Sequence, residues 1–362
     1  WRSSRSSSCT VVAAAVAALI LSLFVQATAG ADDGTCRPAL ADRQRYGFVT
    51  IGYNWYQQYD VSPLRAGWYV DHSHDSLPPE GMDRSILVRV SPGYHLDASR
   101  LGSLVDNNPG SIWLIGNEPD CIWQDNVRAE EYAKIYHNLY TFIKGRDGTS
   151  QIAPGGIVQP TPLRLEYLNR VLAAYQSRYG RAMPLDLWHI HNAILNEERG
   201  QWGADIPPGF QVNEGTLRSV EDNDNITIFK EQIWAFRRWM AGHGYGGYPL
   251  IVSEYGVLMP DDYGFTADRV NAFMSSTFDF FRTASDPGLG DPFDGYRLVQ
   301  RWAWFSLDSP PWNPVTGEGF NGNLIDPSSQ SITPFGQRYA SHTAGLPPIQ
   351  YVDLSPSVVQ MA

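Results

Sequence analysis

Eight short β-rich runs, most of them separated by longer segments with helical periodicity, constrain the fold of this chain more than any other feature. Strands that alternate with helices at this spacing indicate βαβ units and a parallel sheet. Eight nearly continuous apolar strands favour a closed (β/α)8 TIM barrel of the α/β class over an open doubly wound sheet. The predicted strands lie at residues 47–54, 67–71, 85–91, 111–117, 151–159, 185–192, 248–255 and 301–306. The predicted helices lie at residues 96–105, 128–144, 163–179, 225–241, 267–283 and 334–344.

Composition excludes several other classes of protein. Hydrophobic residues make up 43% of the chain and charged residues 18%, which excludes intrinsic disorder over most of its length. The net charge is −11 and no basic cluster lies outside the N-terminus, so neither nucleic acid nor an anionic membrane is an expected partner. No Gly-x-Gly-x-x-Gly turn follows the first predicted strand, which argues against a dinucleotide site, and we expect no cofactor.

The N-terminus has the pattern of a secretory signal peptide. Arg2 and Arg5 precede an apolar run at residues 11–25, and small residues follow at 27–29. The run is shorter than the roughly 20 residues that a membrane-spanning helix needs. We therefore predict that residues 1–29 direct secretion and are removed, and that the mature protein is extracellular and not bound to a membrane.

The rest of the chain is predicted to hold one catalytic domain at residues 37–345. Residues 346–362 follow it as a tail or as the start of a further module. Cys36 and Cys121 remain after the signal is removed, and in an oxidising compartment they either form a disulfide or stay as separate thiols. Two cysteines alone are too few for a typical metal site.

Two glutamates end predicted strands on opposite sides of the barrel. Glu118 follows the fourth strand and precedes Pro119, and Glu254 lies near the end of the seventh strand. Functional residues of such barrels gather at the carboxyl ends of the strands, so both side chains are expected at one mouth. Retaining hydrolysis of a glycosidic bond needs two carboxyl groups about 5–5.5 Å apart, one as nucleophile and one as acid/base.

The sequence around both glutamates carries a family resemblance. Residues 113–119, Trp-Leu-Ile-Gly-Asn-Glu-Pro, resemble the Asn-Glu-Pro signature that ends strand four in clan A glycoside hydrolases. Residues 251–256, Ile-Val-Ser-Glu-Tyr-Gly, resemble the nucleophile segment that ends their strand seven. The resemblance implies a retaining enzyme that acts on a β-linked poly- or oligosaccharide. It also implies that Glu118 is the acid/base, that Glu254 is the nucleophile and that Asn117 holds the sugar 2-hydroxyl.

The same resemblance extends to strands six and eight. It implies His191 as the terminal histidine of strand six, and Trp304 or Trp302 as the floor under the sugar. Two residues after the histidine, clan A usually has a tyrosine that hydrogen-bonds the nucleophile, whereas this chain has Ala193. We expect Tyr255, Tyr53 or another residue to take that role.

Three further positions are candidates for substrate contact. Residues 53–55, Tyr-Asn-Trp, and 67–69, Gly-Trp-Tyr, are similar to the first two strands of alkali-sensitive-linkage-type β-1,3-glucanases, which adds Asn54 to the candidates. Arg89 lies in the third predicted strand, either in a buried ion pair inside the barrel mouth or as a substrate contact. Trp202 lies in a long loop after strand six, either as a stacking platform for a sugar or as a packing residue of that loop.

Two other functions compete with glycoside hydrolysis. His-x-His pairs at residues 72–74 and 189–191 are typical of metal-dependent amidohydrolase-like barrels. Those enzymes normally use a bridging lysine on strand four, and none of the three lysines of this chain ends a predicted strand. Ala193 also fits a secreted barrel that binds glycans without cleaving them.

Overall fold

The computed structural model describes residues 40–52, 55–72 and 81–348, and all eight predicted strands form one parallel sheet within them. The sheet order is β5-β4-β3-β2-β1-β8-β7-β6, so the first strand pairs with the last. Backbone hydrogen bonds from Asp186 to Ile152 and from His191 to Ile157, both 3.0 Å long, join the two ends of the sheet. The predicted (β/α)8 barrel is confirmed. The strands are Tyr46–Thr50 (β1), Trp68–Asp71 (β2), Asp83–Val88 (β3), Ile112–Asn117 (β4), Gln151–Gly156 (β5), Trp188–His191 (β6), Leu250–Tyr255 (β7) and Arg301–Phe305 (β8).

Six long helices pack around the barrel within a few residues of their predicted positions. Local signals define the first turns of five of them: the side chains of Asp97, Asn225 and Thr266 accept hydrogen bonds from N-terminal backbone amides, and Pro162 and Pro334 open two others. A short helix follows β1. The helices are Trp55–Gln58 (α1), Ala98–Asp106 (α2), Ala129–Arg146 (α3), Pro162–Tyr179 (α4), Ile226–Gly242 (α5), Ala267–Thr283 (α6) and Pro334–Thr343 (α7). A small antiparallel pair, Ile325–Asp326 (β9) and Ser331–Ile332 (β10), precedes α7.

Alternate strand residues build two separate cores. Side chains that point inward form a small core inside the barrel, to which β8 contributes Ala303 and Phe305. Side chains that point outward form the larger core between strands and helices, and Trp302 and Trp304 belong to it. Phe281 of α6 stacks on Trp302, and the Trp304 indole donates a hydrogen bond to the Gly322 carbonyl oxygen at 2.8 Å.

The prediction that Trp302 or Trp304 forms the floor under a sugar is therefore wrong. Both side chains are completely buried on the helix side of the sheet, where no substrate has access. Alternation along the strand placed them on one face, but a strand buried on both faces does not reveal which face that is. The aromatic residue that β8 presents to the mouth is Phe305.

Several predictions fall outside the described residues. Tyr53, Asn54, Cys36, the signal segment at 1–29 and most of the tail at 346–362 belong to this group, so their roles stay predictions. Cys121 is buried, with its Sγ 3.7 Å from the Ala204 carbonyl oxygen. Among the described helices, none combines the length and the hydropathy needed to cross a bilayer.

Candidate active site

The structure brings Glu118, Glu254 and His191 together at the carboxyl ends of β4, β7 and β6. One carboxylate oxygen of each glutamate and one imidazole nitrogen all lie within 4.8 Å of one another. His191 Nδ1 is 2.8 Å from Glu118 Oε1 and 3.8 Å from Glu254 Oε1. The three residues predicted from separate segments of the sequence thus form one cluster.

An unusual backbone turn directs Glu118 into this cluster. Glu118 has φ of 48°, in the left-handed region that non-glycine residues seldom adopt, and Gly116 has φ of 88°. The Glu118 amide donates to the Gly156 carbonyl oxygen at 3.0 Å. The Asp125 carboxylate accepts from the amides of Asn117 at 2.7 Å and Val90 at 2.9 Å. These bonds from neighbouring strands hold the turn in place.

A β-bulge directs Glu254 into the same cluster. Val252 pairs with Trp302 and Tyr255 pairs with Trp304, so β7 has one residue more than β8 between these pairs. The extra residue reverses the alternation, because a bulge lets two residues of one strand oppose one of its partner. Tyr255 consequently points outward into the helix layer, and Glu254 lies at the mouth.

The outward direction of Tyr255 contradicts its predicted role beside the nucleophile. Its hydroxyl is 3.3 Å from Thr277 Oγ1 on α6, and its ring packs against Phe229 and Phe281. Ala193 lines the mouth instead of a tyrosine.

Close packing fixes the His191 ring. A Cβ atom added to Gly156 would lie 3.0 Å from His191 Cδ2 and 2.9 Å from His189 Nδ1, so a larger residue at this position would displace both rings. His189 Nδ1 lies 2.9 Å from Ser253 Oγ, one layer deeper in the barrel. Burial and the charge of His191 lower the pKa of His189 well below its usual value, so His189 is neutral.

His191, Glu118 and Glu254 influence each other's protonation, because their ionisable groups lie close together. Burial disfavours the charged form of His191, but Glu254 and the hydrogen bond with Glu118 outweigh burial and raise its pKa to about 9. Burial raises the pKa of Glu254 to about 7, against the opposing effect of the His191 charge. Near neutral pH, a positively charged His191 therefore lies against both carboxyl groups.

The cluster lies in a cavity of about 790 Å³, and several of the residues that line this cavity are aromatic. Trp202, for which the sequence left open a sugar platform or a packing role in its loop, is one of these residues, and 36% of its surface is exposed. Sequence reasoning missed Trp123, which is 63% exposed and lies five residues after Glu118 in the same loop. Because Trp123 lies shortly after the Asn-Glu-Pro segment, its position in the sequence indicated that it lies near the mouth of the barrel. Among the other aromatic residues that line the cavity are Tyr263, Phe305, Trp312 and Phe320.

Asn117 and Arg89 also line the cavity. The Asn117 side-chain amide donates to Gln124 Oε1 at 3.1 Å, and its buried Oδ1 has no hydrogen-bond partner among the described residues. Arg89 Nε lies 2.5 Å from Asp125 Oδ1, so Arg89 forms an ion pair, of which only the Asp125 side is buried. Its side chain is also 44% exposed and faces the cavity, which leaves it accessible to a substrate.

The sequence matches no protein-family model and no curated protein sequence. Its fold is similar to solved structures of GH128 β-1,3-glucanases. A subgroup III curdlan-specific exo-enzyme from Blastomyces gilchristii, in complex with glucose, has a TM-score of 0.55 at 15% identity, over 83% of this chain and 100% of that chain. A subgroup II endo-enzyme from Pseudomonas viridiflava has a TM-score of 0.53 at 18% identity, over 82% and 97% of the two chains. A subgroup I endo-enzyme from Amycolatopsis mediterranei, in complex with laminaritriose, has a TM-score of 0.52 at 15% identity, over 82% and 99%. At these identities the similarity shows the barrel fold.

The charge on His191 predicts a pH-dependent contribution to stability. Because the pKa of His191 is raised in the folded state from 6.5 to about 9, its contribution is complete below pH 6.5 and is lost as the pH rises through 9. We expect His191→Gln to lower the free energy of unfolding by about 2 kcal/mol more at pH 6 than at pH 9.5. Urea unfolding of both proteins at the two pH values measures the difference. An equal effect of the substitution at both values would show that His191 is not charged in the folded protein.

Proposed function

We propose that the protein is a secreted, retaining glycoside hydrolase that cleaves β-1,3-glucans. The observation that carries this proposal is the separation of the two carboxylates. Oxygens of Glu118 and Glu254 lie within 4.8 Å of each other, which fits the spacing of about 5–5.5 Å in retaining enzymes. Inverting enzymes need about 6.5–9.5 Å, because a water molecule must fit between the carboxylate and the sugar.

The two carboxyl groups divide the chemistry between them. Glu254 attacks the anomeric carbon and forms a glycosyl ester, while Glu118 donates a proton to the departing glycosidic oxygen. Glu118 then removes a proton from water, and the resulting hydroxide displaces Glu254 from the sugar. The Asn117 Oδ1 acceptor, which has no described protein partner, is suited to bind a sugar hydroxyl. His191, 2.8 Å from Glu118, supplies a positive charge that holds the carboxylate in position and exchanges protons with it.

Two observations support a β-1,3-glucan as substrate. The barrel is similar to GH128 enzymes, and solved structures of those enzymes contain glucose or laminaritriose. Exposed aromatic rings at Trp123 and Trp202 line the same cavity as the two carboxylates, and flat rings suit the apolar faces of pyranose sugars. The predicted signal segment at residues 1–29 supports secretion.

Removal of the nucleophile gives the first test. We expect Glu254→Ala to lower kcat on laminarin by about 10⁴-fold or more, because the covalent intermediate cannot form. With an activated aryl β-glucoside, added azide restores turnover by entering the vacated space, and the product is the α-glycosyl azide. Proton NMR identifies the anomer. Azide rescue that gives the β-azide, or full activity of the variant, would contradict the assignment.

Removal of the acid/base gives a different signature. We expect Glu118→Ala to lower kcat on laminarin by about 10²- to 10⁴-fold, and to have a much smaller effect on a dinitrophenyl glycoside. A dinitrophenolate leaves without a proton, whereas a sugar alkoxide needs one. Equal losses on both substrates would exclude a role for Glu118 as general acid.

The glycan-binding alternative is tested on the wild-type protein. Wild-type protein that binds laminarin and releases no sugar would support that alternative.

The aromatic residues that line the cavity, Trp123 and Trp202 among them, predict a preference for long substrates. We expect Trp123→Ala and Trp202→Ala each to lower kcat/KM on laminarin by about tenfold, as the loss of one aromatic contact of about 1.4 kcal/mol implies. Activity on a short aryl glycoside stays nearly unchanged, because that substrate does not reach the walls. Phe293→Ala is the control, since Phe293 is 57% exposed and does not line the cavity. Equal losses on long and short substrates would show that these tryptophans do not bind sugar.

The metal-dependent alternative has one observation in its favour, because Glu118, His191 and Glu254 together offer three donor atoms to a cation. The second member of the other His-x-His pair, His74, lies outside the described residues. His189 Nδ1 contacts Ser253 and lies one layer below the mouth. Metal analysis and an assay after chelation distinguish the two functions. Full activity of the chelated, metal-free protein excludes the metal mechanism, and loss that is restored by a divalent cation supports it.

A further inference from the structure

Arg164 connects the loops that follow β4 and β6 at the active-site end of the barrel. It lies in the first turn of α4, and its side chain is completely buried. Its Nη1 donates to the Asp120 carbonyl oxygen, and the same nitrogen is 3.3 Å from Asp120 Oδ2. Its Nε donates to Glu197 Oε1 at 3.0 Å, and its Nη2 donates to the carbonyl oxygens of Ala204 at 2.9 Å and Asp205.

The first of these loops carries Glu118. Asp120 is two residues further along, and the amide of Cys121 donates to the Glu118 carbonyl oxygen at 3.0 Å, which closes a tight turn. The Asp120 carboxylate also accepts from the Val158 amide at 3.3 Å, so it joins the loops that follow β4 and β5. Any movement of Asp120 is therefore transmitted to the turn that holds Glu118 at positive φ.

The other contacts hold the aromatic wall. Glu197 accepts hydrogen bonds from Thr161 Oγ1 at 2.6 Å and from the Thr216 amide at 2.8 Å, which ties both ends of the long loop after β6 to α4. Ala204 lines the cavity and is two residues from Trp202. Arg164 thus contacts the same loop on both sides of Trp202.

Charge and shape both require arginine at this position. Asp120 and Glu197 are completely buried carboxylates, and each is costly to bury without a positive partner. The guanidinium is planar and has five donors in a fixed fork, which match oxygen atoms of the loop after β4 and of two stretches of the loop after β6. A lysine would retain the charge but could not reach all these acceptors.

We propose that Arg164 is a positioning residue, which sets the orientation of Glu118 and the place of the Trp202 wall relative to each other. Its catalytic consequences rest on the proposed function. Its geometric consequence, the distance between Glu118 and His191, does not depend on which reaction the site performs.

A second buried arginine provides a matched control. Arg237 on α5 is also completely buried, and it donates to the carbonyl oxygens of Leu298 at 2.5 Å and Tyr248 at 2.9 Å and to Gln300 Oε1 at 2.9 Å. These residues precede β7 and β8, so Arg237 joins loops at the opposite end of the barrel. Arg164→Lys and Arg237→Lys therefore each disrupt the hydrogen bonds of one buried guanidinium, at opposite ends of the barrel.

The direct readout is the titration of His191, followed by NMR of isotope-labelled histidine. We expect Arg164→Lys to lower the pKa of His191 towards 6.5, because Glu118 moves away from Nδ1, whereas Arg237→Lys leaves it unchanged. An unchanged His191 titration in folded Arg164→Lys protein would overturn the inference, as would the same shift in both variants. Should Arg164→Lys not fold, Glu197→Gln, which has nearly the same shape, is expected to give a smaller shift in the same direction.

Activity gives the second readout. We expect Arg164→Lys to lower kcat on laminarin by about 10- to 100-fold more than kcat on a dinitrophenyl glycoside, since a small displacement of the acid affects only the poorer leaving group. Arg237→Lys should affect both substrates equally, in proportion to the folded fraction. Inactive wild-type protein would refute the proposed function while the His191 titration still tests Arg164. An active wild type with equal losses in both variants would refute the positioning role alone.

Discussion

Two carboxyl groups at the barrel mouth, one buried and one partly exposed, repel each other, and the mouth depends on how that repulsion is compensated. Oxygens of Glu118 and Glu254 lie within 4.8 Å of each other, and the raised pKa of Glu254 reflects both burial and the neighbouring negative charge. The His191 imidazolium compensates them from a position in contact with Glu118 and 3.8 Å from Glu254. The absence of a side chain at Gly156 leaves the space that this ring occupies. In the proposed mechanism such a pair is useful, because small changes in environment shift a proton from one group to another.

Two irregularities of the backbone, the bulge in β7 and the turn at Glu118, direct the carboxyl groups into that cluster. A strand with uninterrupted alternation would point Glu254 into the helix layer, and the bulge in β7 reverses this by one residue. A turn with an extended backbone would not direct Glu118 inward, and the left-handed conformation does so at a cost in local stability. Hydrogen bonds that the Asp125 carboxylate accepts, and the buried network around Arg164 and Asp120, hold this turn from two sides. Polar groups outside the carboxylate cluster thus stabilise the left-handed backbone conformation of Glu118.

The sequence predicted the barrel and the candidate catalytic residues from local patterns. Those patterns do not determine the direction of every side chain. Strands and helices follow from periodicity and from terminal residues such as Asp97 and Pro162, which are local. Glu118 and Glu254 could be identified because they end apolar runs, and the barrel brings such ends together. Trp302, Trp304 and Tyr255 were placed wrongly, because the inward face of a strand depends on register and bulges. Those features arise from pairing between strands and leave no clear mark in a single segment.

The similarity to GH128 structures at 13–18% identity shows how far such a barrel tolerates sequence change. The function rests on the local chemistry of the mouth, and the covalent intermediate tests that chemistry most directly. Incubation with a 2-deoxy-2-fluoro-β-laminaribiosyl fluoride should raise the protein mass by one fluorinated disaccharide, and peptide mapping should place it on Glu254. A slow 2-fluoro intermediate is expected because the fluorine destabilises the oxocarbenium-like transition state of its hydrolysis. Label on Glu118, or continued turnover of the reagent with no covalent adduct at all, would contradict the account.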